Sequence, residues 1–109
     1  MIYRHGDVNL IRISKRKFKA MKKSGVPVPH KGKHVLARGE ATGSVHELSC
    51  SDMELVENEG VLYLRIGANA TLTHTSDHET LVVEPEYYVQ VPEREVDHYQ
   101  NSVVRKVVD

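Results

Sequence analysis

The sequence predicts an all-β fold: a small single-domain barrel or roll with one short helix inserted near the N-terminus. Sixteen valines against eight leucines and four isoleucines favour a pleated surface, where branched side chains pack well. Seven or eight short apolar runs recur between turn-forming clusters, which is the pattern of a sandwich or barrel. Closing the sheet would also remove the edges that so many valine-rich strands would otherwise offer to neighbours. At 109 residues the chain is expected to form one domain, 1–109, with an aliphatic core, since there is no Trp and Phe18 is the only Phe.

Taken in order, Val8–Ile13 reads as a buried strand. Ser14 then stands as an N-cap before the run Lys15 to Lys23, and Gly25 lies just past its end, so a short helix is expected there. Phe18 and Met21, three apart, would anchor one face of that helix. Val26-Pro27-Val28-Pro29 cannot continue it and should be extended. Short strands follow at Val35–Ala37, Val45–Leu48 and Met53–Val56, with a turn at Gly39–Ser44. Glu57-Asn58-Glu59-Gly60 is a hairpin signal. After it Leu62, Leu64 and Ile66 alternate with Val61, Tyr63 and Arg65, one set to each face. Ala70–His74, Leu81–Val83 and Tyr87–Val91 complete the strands, and Val103–Val108 is either a last strand or a short helix.

Charge is distributed unevenly. Residues 1–38 hold eleven Lys/Arg and one acid, a segment charge of +10, and residues 39–109 hold four Lys/Arg and fourteen acids, −10. Such polarity bears on partners and self-association rather than on fold, and it predicts a homo-oligomer or an acidic or nucleic-acid partner. The contact would be the helix with Lys15, Arg16, Lys17, Lys19, Lys22 and Lys23. No apolar stretch approaches the ~20 residues that span a bilayer, no apolar run follows the N-terminal charges, and the lone Cys50 suits a reducing compartment. A cytoplasmic protein with no membrane partner is expected. Cys50 sits beside acids, so it is a poor nucleophile, and no nucleophile elbow or phosphate-binding glycine loop is present.

The histidines carry the remaining chemistry. His46 shares a strand face with Leu48 and His74 with Leu72, so both imidazoles should point inward. Across a three-residue turn, Thr75-Ser76-Asp77, His78 would stand opposite His74 with Cβ atoms ~5 Å apart. Three imidazoles with an open position suit zinc and other imidazole-preferring metals such as iron or nickel, and the cofactor expected is a divalent metal, zinc, iron or manganese. Glu40 or Glu47 could add an oxygen, and Asp77 or Glu79 could orient a ring. His5, His30, His34 and His98 are expected at the surface.

Several short motifs recur together: Tyr3-Arg4-His5-Gly6-Asp7-Val8, Gly39-Glu40-Ala41-Thr42-Gly43-Ser44-Val45-His46 and Leu62-Tyr63-Leu64-Arg65-Ile66. After these come Ala70-Thr71-Leu72-Thr73-His74 with His78, Glu84-Pro85-Glu86-Tyr87-Tyr88-Val89, and Pro92-Glu93-Arg94-Glu95. With them the chain resembles a family of short uncharacterised proteins met in bacteriophages, prophages and some bacterial genomes. The resemblance implies no established activity. It implies polar residues gathered at the Gly-Glu-x-Thr-Gly turn, at the histidine after it and at the His74/His78 turn. Where that family usually has Thr-Gly-His-x-His, Ser44 here replaces the first histidine. The basic helix is also heavier in lysine than the family's usual counterpart.

The sequence therefore points first to a non-catalytic binding or assembly module. The alternatives are a cupin-like metal-binding protein using His46, His74, His78 and Glu40, and nucleic-acid binding through helix 15–23.

Overall fold

The computed structural model describes residues 2–5, 8–38, 45–75, 79–92 and 95–96. They form two antiparallel sheets and one helix, so the mostly-β expectation with an early helix holds. The elements are β1 (Ile2–His5), β2 (Val8–Arg12), α1 (Lys15–Ser24), β3 (Val26–Pro27), β4 (Lys33–Arg38) and β5 (Val45–Ser49), followed by β6 (Met53–Asn58), β7 (Val61–Ile66), β8 (Ala70–His74), β9 (Thr80–Val83) and β10 (Glu86–Val91). The first sheet runs β1-β2-β10-β7-β6-β3, the second β4-β5-β8-β9. Among the described strands no closed barrel forms, because the sheets pack face to face and keep separate edges. Where β1 approaches β9, side chains make the join instead of a ladder: the Tyr3 hydroxyl accepts the Glu84 N–H at 3.3 Å. The turn expected at 39–44 and the last element expected at Val103–Val108 lie outside the described residues.

Strand alternation builds the layers. Val8 and Leu10, Leu62, Leu64 and Ile66, Met53 and Leu55, and Tyr88 face the second sheet, where Leu48, Ala70, Leu72 and Val83 meet them. The opposite faces of the same strands present Ile11, Val56, Tyr63, Val89 and Val91 to the helix. A six-stranded sheet covered on both faces explains why β2 is buried at four consecutive residues, Val8 to Ile11. The Tyr88 hydroxyl donates to the Glu84 carbonyl at 2.7 Å, and burial above all pushes its ionisation far above the ordinary range.

Helix α1 begins as the sequence indicates, with Ser14 Oγ accepting the Lys17 N–H at 2.9 Å. Phe18 is buried against Tyr87, ring centroids 5.3 Å apart, and Met21 packs beside it. The Asn58 amide closes the other end, donating to Met21 O and Ser24 Oγ. Gly25 then lets the chain turn tightly onto β6, because a Cβ there would lie 2.6 Å from both Met21 O and Val56 Cγ1. The β6–β7 hairpin turns on Glu59 and Gly60, both at positive φ, as the two-residue turn requires.

Candidate functional site

Strand direction places one end of the sandwich apart from the other. β1 ends at His5, β4 at Arg38, β8 at His74 and β10 at Val91, and β5 and β9 begin there. At that end the inner face carries histidine where the rest of the face carries Leu and Val. His46 and His74 are cross-strand partners in the β5–β8 ladder, two residues beyond the Leu48↔Leu72 pair, so they point inward with those leucines as expected. Their rings are 4.6 Å apart between centroids.

The third member is His5. It was expected at the surface, yet it is 3 % exposed. Its pairing with Val8 places it on the inner face of β1, and the second sheet covers it. Its ring lies 4.9 Å from that of His46 and 6.5 Å from that of His74. His5 Nδ1 meets His46 Nδ1 at 2.8 Å, and His5 Nε2 meets the Glu79 carbonyl at 3.0 Å. A carbonyl only accepts, so Nε2 of His5 carries hydrogen. In the neutral pair Nδ1 of His5 is then the acceptor and Nδ1 of His46 the donor, which leaves the basic lone pair of His46 on Nε2.

The turn after β8 is one residue longer than the sequence reading assumed. Thr73 pairs with Thr80, and the His74 N–H donates to Glu79 O at 3.0 Å, so Glu79 rather than His78 stands opposite His74. The histidine opposite His74 on the other side is His46. His78, Asp77 and Glu40 lie outside the described residues, as does His98. Glu47 is out of reach, since it pairs with Thr73 on the outward face of β5. Glu79 contributes its main-chain carbonyl. Among the described residues, no group of three or more His, Cys, Asp or Glu side chains is placed to hold a metal ion.

Of the other described histidines, His30 has a structural part. His30 Nε2 donates to Met53 O at 2.8 Å while its Nδ1 accepts the Gly32 N–H, fixing the chain where it crosses between sheets. Burial lowers the pKa of His34, with His30 as the second cause. Cys50 is buried, its thiol within reach of Asp52 O and Ala68 O, in keeping with a poor nucleophile.

Residues 4–92 match the model of a family described as a domain of unknown function, DUF8820. The chain belongs to this family. The matched span of the DUF8820 domain takes in His5, His46, His74 and the whole of α1. None of the curated proteins and none of the solved structures matches the chain. Among the described residues no helix is long and apolar enough to cross a membrane.

On the helix, Lys15, Arg16, Lys19, Lys22 and Lys23 are exposed and Lys17 is half-buried. Lys22 Nζ pairs with Glu54 at 2.6 Å, and Arg65 reaches both Glu54 and Asp52. Arg12 is tied to Glu86 at 3.1 Å.

Proposed function

We propose that the protein is a binding module without catalysis of its own, and that its ligand is a divalent transition metal, zinc, iron or manganese, at the histidine end. The observation that carries this reading is the register pairing of His46 with His74, inward-facing, with His5 bonded behind them. His46 and His74 are the ligands. His5 is the orienting residue: a metal-bound imidazole usually donates its other N–H to a fixed acceptor, which sets tautomer and ring angle. The chain from His46 Nδ1 through His5 to the Glu79 carbonyl does this and turns Nε2 of His46 into the ligating nitrogen. Two nitrogens on one tetrahedral ion stand about 3.3 Å apart, so the 2.8 Å contact is a hydrogen bond between ring and orienter, not a bridge. Glu40 and His78 remain the proposed further donors, in segments that join β4 to β5 and β8 to β9.

Calorimetric titration of chelator-treated protein with Zn2+ should show one site per chain. His74→Ala should abolish it while circular dichroism stays unchanged. An unaltered isotherm in His74→Ala, or no heat with any of the three metals, would overturn the reading.

A further inference from the structure

The outer face of α1 is a same-sign stripe. Lys15, Lys19 and Lys23 follow one another at four-residue spacing on the side away from Phe18 and Met21, with Arg16 alongside. Like charges at that spacing destabilise a helix, and no acid occupies the first turn to offset Lys15 and Arg16 against the helix dipole. Among the described residues no ion pair reaches Lys15, Lys19 or Lys23. The nearby acids Glu54 and Glu86 already engage Lys22, Arg65 and Arg12. A helix that only needed to cover the sheet would have no use for this arrangement.

We infer that this stripe is a contact for the phosphate backbone of double-stranded nucleic acid, made without reading sequence. Two observations favour phosphate over a protein partner. Lysine is depleted at protein interfaces, whose energy comes from aromatic and arginine anchors. The one aromatic on this helix, Phe18, is 2 % exposed and turned into the core. The same absence of an exposed ring argues against single strands, which are held by stacking. The eight steps from Lys15 to Lys23 span about 12 Å, along which a duplex presents roughly seven charges. The stripe lies on the side of the first sheet facing away from the second, so this inference is independent of the histidine site.

The test is fluorescence anisotropy with a labelled 20-base-pair duplex of arbitrary sequence. Four phosphate contacts predict a slope of log K on log salt of about −3 to −4, which is roughly a hundredfold loss between 50 and 200 mM. Lys15→Gln/Lys19→Gln/Lys23→Gln should lose most of the binding and melt no lower than wild type. Lys31→Gln/Lys33→Gln, on the chain leading into the second sheet, should bind as wild type. A flat salt response, wild-type binding by the triple variant, or equal loss in the control would overturn the inference. So would equally tight binding of poly-glutamate or of a second copy, since either would make the partner an acidic protein surface.

Discussion

The histidine end draws its three imidazoles from residues 5, 46 and 74, on strands of two different sheets. The helix face draws its cations from nine consecutive residues, 15–23. One exists only when the sandwich is assembled, because its geometry is the register of β5 on β8 and the approach of β1 to the second sheet. The other exists whenever ten residues are helical. The two should therefore fail separately: a change that disturbs inter-sheet contact should affect the metal and spare the helix, and a change in helix capping should do the reverse.

The largest effect is expected from His5→Ala. It leaves the Nδ1–H of His46 without its 2.8 Å acceptor beside a nearly buried site, a loss of about 1–3 kcal/mol in stability. Metal affinity should fall roughly ten- to hundredfold, as for other orienting partners. Duplex binding should be unchanged. If His5→Ala weakens both activities together, the two regions are not independent. Next is Ser14→Ala, which removes the acceptor of the Lys17 N–H and should cost about 1 kcal/mol by denaturant melting. It should weaken duplex binding more than zinc binding, and the opposite order would contradict the comparison.

The smallest effect concerns the ion pair that ties the helix to β6. Lys22, and Arg65 after it, hold the Glu54 carboxyl below its usual range against the opposing effect of burial. Its folded pKa is depressed, so the contribution is present above the unfolded value near 4.3 and is lost as pH falls through the lower folded value. Both partners are partly exposed, and the pair is worth under about 1 kcal/mol. Melting temperatures measured across pH 5 to 3 should fall less steeply in Lys22→Ala than in wild type. An equally steep fall in the two proteins would show that Lys22 does not act on Glu54.

The same contrast explains what could be read from the sequence. Helix α1 was legible to its caps, because Ser14, Phe18, Met21 and Gly25 act locally. So were the two faces of β7, which need only alternation. The inward direction of His46 and His74 followed from their neighbours Leu48 and Leu72. Alternation also required Glu47, next to an inward histidine, to face outward, and that signal was present but unused. His5 was missed because burial of a four-residue edge strand comes from its neighbours. Even so, Gly6-Asp7 between two β runs marks a hairpin that pairs His5 with Val8. The His74–His78 pairing failed by one residue of turn length, which alternation cannot determine. Whether the sheets close was not legible either, since that depends on edges meeting across the whole chain.

The most direct test of the account is elemental analysis of protein purified without a histidine tag or chelator, beside His46→Ala prepared identically. About one zinc, iron or manganese per chain is expected in the wild type and little in the variant. Equal metal content in the two proteins, or none in the wild type after reconstitution with each of the three, would contradict it.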